Sequence, residues 1–358
     1  MGLGGVFLIS LLAMKNHTLI QQAAHILTQG GLVAFPTETV YGLGADAAQS
    51  SAVQKIFDAK QRPSDHPLIV HLASHSQLLD WASVIPPEAQ RLAKAFWPGP
   101  LTLILPKQPG VLNSVTGGQD TVGIRIPRHP IAQALLETFG KGIAAPSANQ
   151  FTHLSPTTAS AVQEELAGKI DLILDGGVCE VGLESTIVDV SRGTPIILRP
   201  GMISKKMIAD VLGYEVQSRQ SSSTSNTSST SSTSSTSSTS STSSTSDTSS
   251  TLTTLRVPGM HQLHYAPRTH TQLIETKSCL NFLAANRHRA IALVTHTPLE
   301  SNEIHRVLMP HDPVKYAHVL YETLRQLDHQ QYDSIVIEAV PETPAWDAIR
   351  DRLIKGSR

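Results

Sequence analysis

The sequence P-T-E-T-V-Y-G-L-G at Pro36–Gly44 directly follows an apolar run, Gly31–Phe35, that is typical of a short buried strand. Its polar side chains, which begin with Thr37 and Glu38, therefore cluster where that strand ends. In an open α/β sheet, ligands bind outside the carboxyl ends of the strands. The stretch thus predicts an α/β sheet domain with a ligand site at this loop.

Two cations, Lys60 and Arg62, follow this loop in the sequence K-Q-R-P. Apolar spacing in residues 51–57 predicts a helix that Ser50–Ser51 can cap and that Pro63 ends. Because an arginine fork and a mobile lysine charge both suit phosphate oxygens, the pair predicts an anion site facing the loop. Each segment also has a simpler explanation when it is taken alone. The polar loop can be a tight turn, and Lys60 and Arg62 can be solvated charges at a helix end.

Further apolar runs predict the other strands of this domain. They are Pro67–Leu72, Leu101–Leu105, Thr121–Pro127, Ile143–Asn149, Ile170–Leu174, Glu184–Asp189 and Ile196–Gly201. His71 lies near the end of the first run, where a lone histidine is usually a core residue. Arg125 lies inside a strand, where a charge needs a partner. That partner is either a structural carboxylate or an anionic ligand, and we favour the ligand.

Residues 218–254 are almost entirely Ser and Thr, a composition that buries too little apolar surface to fold. After them, strand and helix patterns alternate as in a small parallel α/β domain. We predict a dispensable apolar extension at 1–14, a catalytic domain at 15–214, a linker at 215–256 and a small α/β domain at 257–358. The last begins with a motif-rich loop at 257–267. Such a flexible linker would tether the second domain without fixing its orientation.

The composition narrows the possible function classes. The chain has 358 residues and a formal net charge of −1, so it lacks the general basic field of a nonspecific nucleic-acid-binding protein. Its 2 cysteines and 16 scattered histidines form no metal-binding motif and no disulfide framework, which fits a reducing cytoplasm. The apolar residues 1–13 are too few to span a membrane, and we prefer Met14 as the true start over a weak membrane anchor.

The motifs form a series along the chain. After the opening stretch come K-Q-R-P at 60–63, P-L-I-V-H at 67–71, V-G-I-R-I-P at 122–127, P-S-A-N at 146–149, E-S-T-I-V-D at 184–189, L-R-P-G at 198–201 and H-Y-A-P at 264–267. By this series the chain resembles the threonylcarbamoyl-AMP synthase family, also called the YrdC-like family, in its long two-domain form. The resemblance implies a YrdC-like domain built on a twisted open sheet, followed by a smaller Rossmann-like α/β domain.

The resemblance also implies an activity. The expected enzyme is an L-threonylcarbamoyladenylate synthase, a nucleotidyltransferase that forms L-threonylcarbamoyl-AMP and pyrophosphate from L-threonine, bicarbonate and ATP. The product would serve the threonylcarbamoyladenosine modification of tRNA next to the anticodon. The expected partners are threonylcarbamoyl transferase proteins and, weakly, tRNA itself, with no membrane contact.

The same resemblance implies the site residues. Lys60 and Arg62 would be catalytic. The residues that would bind threonine or its carbamate are Thr39, His71, Arg125, Ser147 and Ser185. The residues that would bind ATP are Lys60, Arg62, His66, Thr121, Ala145, Ser155 and Arg199. Because no convincing carboxylate cage is evident, Mg²⁺ would be held by the phosphates of ATP.

Four positions depart from the family pattern. His66 stands where Asn is more common. In the 257–267 loop, Val257 stands where Ser is common, and His261 and Leu263 replace basic residues, so this loop lacks polar groups that the family pattern has there. Two other functions are considered. An RNA-binding module without the chemistry would bind tRNA but not ATP or threonine. A carbamoyl-transfer enzyme of the hydrogenase-maturation type would need acylphosphatase-like and zinc-finger segments, for which this chain has neither the length nor the cysteines.

Overall fold

The computed structural model describes residues 17–219, 255–259, 263–298 and 305–358. The apolar extension, the Ser/Thr tract and His261 lie outside the described residues. Within those ranges the chain forms a ten-stranded mixed sheet and a four-stranded parallel sheet. The predicted fold class, an open-sheet α/β domain followed by a smaller α/β domain, is confirmed.

The ten strands of the large sheet come from the first part of the chain. They are β1 Val33–Phe35, β2 Gly42–Asp46, β3 Ile69–His71, β4 Leu101–Pro106, β5 Thr121–Arg125, β6 Ile143–Ala144, β7 Leu172–Ile173, β8 Thr186–Asp189, β9 Ile196–Arg199 and β10 Gln217–Ser218. Their order across the sheet is β10-β9-β8-β4-β5-β3-β6-β2-β1-β7. Because β3 and β5 run parallel as neighbours, with His71 opposite Arg125, these two side chains emerge at the same edge of the sheet.

The opening stretch is a hairpin connection rather than a simple loop. β1 pairs antiparallel with β2, so Gly42, Leu43 and Gly44 lie in a strand where the sequence predicted only a polar loop. A Cβ at Gly44 would lie 2.7 Å from Ile143 Cγ2 and 2.8 Å from Phe35 Cε1. Glycine is therefore required here by close packing within the sheet, which explains why a turn-like sequence forms a strand.

Helices cover the large sheet. They are α1 at 17–28, α2 Ser50–Lys60, α3 Leu78–Trp81, α4 Pro87–Phe96, α5 Asn113–Thr116, α6 Pro130–Phe139, α7 Ala159–Leu166 and α8 Lys205–Leu212. Helix α2 ends at Lys60 as predicted, but its N-cap is Gln49 with no side-chain cap, so the proposed Ser cap is wrong. The predicted strand at 143–149 is also too long. Only Ile143–Ala144 is strand, because Pro146 cannot donate to the ladder.

The smaller domain is a parallel α/β unit. Its elements are β11 Thr271–Ile274, α9 Cys279–Ala285, β12 Ile291–Thr295, β13 His305–Leu308, α10 Pro313–Asp328, β14 Ser334–Glu338 and α11 Asp347–Gly356. The strand order is β11-β14-β12-β13. The sequence patterns predict strands at 290–295, 306–309 and 334–339 and helices at 314–327 and 345–354, which correspond to β12, β13, β14, α10 and α11. β11 was not predicted, because only two of its four residues are apolar.

Buried contacts fix the two domains against each other. Arg325 of α10 is buried and donates to Glu165 Oε1 at 3.1 Å and to the carbonyl oxygen of Leu154 at 3.0 Å. Arg352 of α11 makes a second buried ion pair, with Glu184. The expectation of a loosely tethered second domain is therefore wrong, because these arginines need their partners across the domain boundary to remain buried.

Candidate active site

A cleft with an empty volume of about 510 Å³ lies beside the hairpin connection. Its walls come from the β1–β2 connection, the ends of β3, β5 and β9, and the segments at 145–147 and 184–185. The segment after the Ser/Thr tract closes one side through Pro258, Gly259, His264 and Tyr265. Eight of the predicted site residues line this cleft. They are Thr39, Arg62, His71, Arg125, Ala145, Ser147, Ser185 and Arg199.

Arg125 is paired with a carboxylate in this cleft. Its Nη2 lies 2.7 Å from Glu38 Oε1, and its Nη1 donates to Thr39 Oγ1 at 2.9 Å. The other oxygen of Glu38 accepts a hydrogen bond from the backbone N–H of Arg128 at 3.0 Å. Burial favours the neutral acid, but Arg125 and these hydrogen bonds outweigh it and lower the pKa of Glu38. The sequence left two possible partners for Arg125, a structural carboxylate or an anionic ligand. In the structure its partner is the carboxylate of Glu38.

Arg199 joins the cleft wall to the segment that follows the Ser/Thr tract. It donates from Nε to the carbonyl oxygen of Ser185 at 3.0 Å and from Nη2 to Ser185 Oγ at 3.1 Å. Its Nη1 donates to the carbonyl oxygen of Pro258 at 3.2 Å. Val257 packs nearby against Ile69 and Leu198, so this departure from the family pattern serves apolar packing here.

Lys60 lies behind the cleft rather than in its wall. Its side chain is 2% exposed, and Nζ donates to the carbonyl oxygen of Ser147 at 2.7 Å and to that of Asn149. Burial, followed by the positive charge of Arg62, lowers the pKa of Lys60 well below its usual value. These contacts make Lys60 a group that holds the 147–149 segment in place, which differs from the direct catalytic role that the resemblance implies.

A second cleft, with an empty volume of about 670 Å³, adjoins the first. Arg62, Pro258, Gly259 and His264 line both clefts, and His66 lines the second. Arg62 donates from Nη2 to the carbonyl oxygen of Pro67 at 3.0 Å, while its Nε has no hydrogen-bond partner among the described residues. Burial lowers the pKa of Arg62 to about 10, so its guanidinium stays charged at neutral pH.

Two buried histidines in the lining of the first cleft each carry an unpaired nitrogen. The Nδ1 atoms of His71 and His264 have no hydrogen-bond partner within the part of the chain that the structure describes. Burial, and then the charge of Arg125, lowers the pKa of His71 to about 3. Burial, and then Arg62 and Lys60, also lowers the pKa of His264 well below its usual value. Both rings are therefore neutral at physiological pH and can donate or accept a hydrogen bond.

Besides Lys60, two other predicted ATP ligands lie outside both clefts. Thr121 begins β5 opposite Pro106, and Ser155 is fully buried. Ser155 Oγ instead donates to Glu184 Oε1 at 2.5 Å, and it is Glu184 that lines the cleft. Sequence reasoning missed the lining residues Glu184, His264 and Tyr265 and the Arg125 partner Glu38, although all of these lie inside motifs quoted above.

The described residues contain no group of three His, Cys, Asp or Glu side chains that could hold a metal ion. Glu184 lines the cleft and Glu38 lies behind Arg125, and each of these two carboxylates already pairs with an arginine. A divalent ion bound through substrate phosphates fits this arrangement better than one held by the protein alone. None of the described helices is both long and apolar enough to cross a membrane.

Comparisons with known proteins agree with the geometry. The family model Sua5_yciO_yrdC, described as telomere recombination, matches residues 25–201. The model Sua5_C, described as threonylcarbamoyl-AMP synthase C-terminal domain, matches residues 203–357. The threonylcarbamoyl-AMP synthase of Pyrococcus abyssi is 39% identical over 344 residues, which span 94% of each chain.

Other relatives differ in how much of this chain they share. The threonylcarbamoyl-AMP synthase of Bacillus subtilis is 38% identical over 355 residues, which span 96% of this chain and 94% of that protein. One from Vibrio vulnificus is 36% identical over 184 residues, which span 51% of this chain but 98% of the shorter protein. The crystal structure of Pyrococcus abyssi Sua5 complexed with L-threonine matches with a TM-score of 0.82 and 36% identity, covering 95% of this chain and 94% of that one. The resemblance predicted from the motifs is thereby confirmed, and the chain belongs to the Sua5/YciO/YrdC family as a two-domain member with a threonylcarbamoyl-AMP synthase C-terminal domain.

Proposed function

We propose that this enzyme is an L-threonylcarbamoyladenylate synthase, a nucleotidyltransferase that joins L-threonine, bicarbonate and ATP. The observation that carries the proposal is the cleft that gathers Thr39, Arg125, Ser185 and Arg199, together with its adjoining chamber at Arg62 and His66. A relative of the same two-domain architecture has been solved with L-threonine bound, which supports an amino-acid substrate for this cleft.

The first cleft is suited to the threonine end of the reaction. Arg125 donates from Nη1 to Thr39, and its Nη2 forms an ion pair with Glu38. Each terminal nitrogen of a guanidinium carries two N–H groups, so Nη1 keeps a second donor for the carboxylate of threonine. Neutral His71 and the hydroxyls of Ser147 and Ser185 can bind the polar side chain and the carbamate.

The second cleft is suited to the nucleotide. Arg62 and Arg199 are charged groups at the passage between the two clefts, and Arg62 faces both. Arginine forks bind phosphate oxygens, so we propose that the triphosphate lies along this passage with His66 toward the rest of the nucleotide. Ala145 would contribute through its backbone. Lys60, Thr121 and Ser155, which lie outside both linings, would act by holding neighbouring segments.

The reaction balances without a covalent enzyme intermediate. Condensation of the threonine amine with bicarbonate gives a carbamate and water. A carbamate oxygen then attacks the α-phosphorus of ATP while the bond to pyrophosphate breaks. The contribution of the protein is to position the two substrates in line and to stabilise phosphate charge with Arg62 and Arg199. Mg²⁺ bound to the phosphates would supply further charge neutralisation.

The product would be consumed in tRNA modification. We propose that partner threonylcarbamoyl transferase proteins move the threonylcarbamoyl group to the adenosine next to the anticodon, and that the protein works in the cytoplasm where tRNA and ATP are found. The names of the relatives support the formation of threonylcarbamoyl-AMP, and weak contact of the protein with tRNA is a further expectation.

Pyrophosphate release from ATP tests the proposal. With bicarbonate present, release should depend on L-threonine and should be much slower with L-serine or no amino acid. Arg125→Ala should lower kcat/KM for threonine about 10- to 100-fold, because a charge-assisted hydrogen bond is lost. The control is Arg128→Ala, which removes an exposed side chain but keeps the backbone N–H that Glu38 uses. Release that is indifferent to the amino acid would overturn the proposal.

A further inference from the structure

Glu184 places a negative charge in the wall of the first cleft. The residue is 6% exposed and directly precedes Ser185, which Arg199 holds by two hydrogen bonds. A buried carboxylate at this position would repel an anionic substrate unless a cation neutralises it. The source of that cation therefore affects the binding of the triphosphate.

The direct partner of Glu184 comes from the second domain. Arg352 of α11 is 1% exposed, and its Nε lies 2.7 Å from Glu184 Oε2. Tyr321 of α10 donates from its hydroxyl to the same carboxylate at 3.2 Å. From the first domain, Ser155 donates a neutral hydrogen bond at 2.5 Å. Among the described residues, Arg352 is the cation that forms an ion pair with Glu184.

The guanidinium of Arg352 is itself fixed in place. Its central carbon lies 5.0 Å from the centre of the Tyr265 ring, and Tyr265 lines the cleft. Its Nη1 lies 2.6 Å from Asp351 Oδ2. Burial on its own would raise the pKa of Glu184, but the charges of Arg352 and Arg199 and two hydrogen bonds hold that pKa below its usual value. Glu184 is therefore ionised, and the cation that contacts it directly comes from outside its own domain.

We propose that Arg352 is a positioning residue of the active site, by which the second domain neutralises Glu184 and allows the triphosphate of ATP to bind beside it, along the passage out of the first cleft. This inference rests on the proposed function, because it takes ATP as the ligand. It also gives the second domain a role at the site. The Vibrio vulnificus relative matches over 98% of its own length but only 51% of this chain, which leaves no room for a second domain. Its cleft must therefore neutralise a carboxylate at this position in another way, or have no carboxylate there.

A second buried arginine provides a matched control. Arg325 also crosses the domain boundary and pairs with a buried glutamate, Glu165, at 3.1 Å. Neither Arg325 nor Glu165 lines either cleft. Loss of Arg325 should therefore destabilise the domain contact as loss of Arg352 does, without leaving an uncompensated charge beside the substrate.

The test compares full-length Arg352→Met, Arg325→Met, Glu184→Gln and the double variant Arg352→Met/Glu184→Gln. Dissociation constants for ATP and for threonine are measured by calorimetry, and thermal unfolding is followed by circular dichroism. We expect Arg352→Met to weaken ATP binding about 10- to 100-fold, with a smaller effect on threonine, and Arg325→Met to leave ATP binding near wild type. In the Glu184→Gln background, Arg352→Met should change ATP affinity by no more than about twofold.

Two outcomes overturn the inference. One is equal loss of ATP affinity in Arg352→Met and Arg325→Met, which would show a general effect of domain contact. The other is a large loss caused by Arg352→Met in the Glu184→Gln background. This second outcome compares Glu184→Gln with the double variant, neither of which contains an unpaired Glu184 charge. The test therefore remains possible even if the Arg352→Met single variant does not fold. If wild type binds no ATP at all, the proposed function itself fails, which is a separate and recognisable result.

Discussion

Single residues in the cleft are organised as charge pairs whose members come from different elements. Arg125 at the end of β5 meets Glu38 in the hairpin connection, and Glu184 meets Arg352 of α11. Breaking such a buried pair from one side typically costs about 3–5 kcal/mol, so both partners are needed for a stable site. The cleft therefore combines a positive surface for anionic substrates with carboxylates that hold the arginines in position.

His71 gives a residue-scale prediction about pH. Its pKa is about 3 in the folded protein, because burial and Arg125 disfavour the charged ring, against about 6.5 in an unfolded chain. At a pH between these two pKa values, the unfolded chain binds a proton at His71 that the folded protein does not bind. His71 therefore contributes stability above about pH 6.5 that is lost as the pH falls. Between pH 6.5 and 4.5, wild type should lose ~2 kcal/mol more unfolding free energy than His71→Gln, as measured by urea titration. A difference between the two proteins that does not change with pH would contradict this assignment.

The sequence predicted individual residues well where charge or polarity stood out in an apolar run. Arg125 was found this way, whereas His71 and Arg199 were expected in the site from the family resemblance, and all three line the cleft. Glu184 was missed as a site residue because the cation that explains it, Arg352, lies far away in the chain and in another domain. A single sequence gives no indication of such a pairing between distant segments.

At the scale of elements, the segment Leu255–Gly259 reaches the cleft from the second half of the chain, as do His264 and Tyr265. Gly259 has φ +83°, and a Cβ there would lie 2.1 Å from the hydroxyl of Tyr265. Tyr265 has little freedom to move aside, because its ring packs against Arg352 and Tyr321. The segment therefore depends on glycine for both its conformation and its contact with Tyr265.

Gly259→Ala should consequently weaken ATP binding about tenfold, because Tyr265 or the segment must shift at the passage between the two clefts. Gly193→Ala is a matched control. Gly193 has φ +88° in a turn between β8 and β9, and nothing lies within 4 Å of an added Cβ. Both variants should lose about 1–3 kcal/mol of stability through backbone strain, but only Gly259→Ala should lose ATP affinity. Equal ATP affinities in the two variants would show that the Tyr265 contact does not matter for binding.

The elements that the sequence located correctly have strong periodicity, such as α4 and α10. β2 was missed because the sequence G-L-G is typical of a turn, whereas the structure uses these glycines for close packing against Phe35 and Ile143. The two-residue strand β10 was not predicted, because it is held by pairing with β9, a neighbour that only the folded sheet provides. β7 is equally short but lies inside the apolar run 170–174 that the sequence predicted as a strand.

At the scale of the whole molecule, the Ser/Thr tract leaves and rejoins the described structure at one place. Arg219 donates from Nη1 to the carbonyl oxygen of Leu255 at 3.2 Å, so the two described residues that flank 220–254 are in contact. The domain arrangement is held by other contacts, chiefly those of Arg325 and Arg352. The tract is therefore not needed to span a distance between the domains.

Replacing residues 220–254 by a Gly/Ser linker of about four residues should leave threonine-dependent pyrophosphate release within about twofold of wild type. Because closing a shorter loop costs less entropy, the variant should be more stable by up to about 2 kcal/mol. Thermal unfolding and steady-state kinetics on the same preparations check both parts. Loss of activity with intact folding would instead assign the tract a role in the reaction.

The central claim is that one cleft joins L-threonine, bicarbonate and ATP. Mass spectrometry of a reaction that contains these substrates, with ¹³C-labelled bicarbonate, tests it most directly. We expect one nucleotide product that carries threonine and one labelled carbon on AMP, formed by wild type and strongly reduced in Arg125→Ala. AMP without a labelled adduct, or an adduct formed equally well with L-serine, would contradict the account.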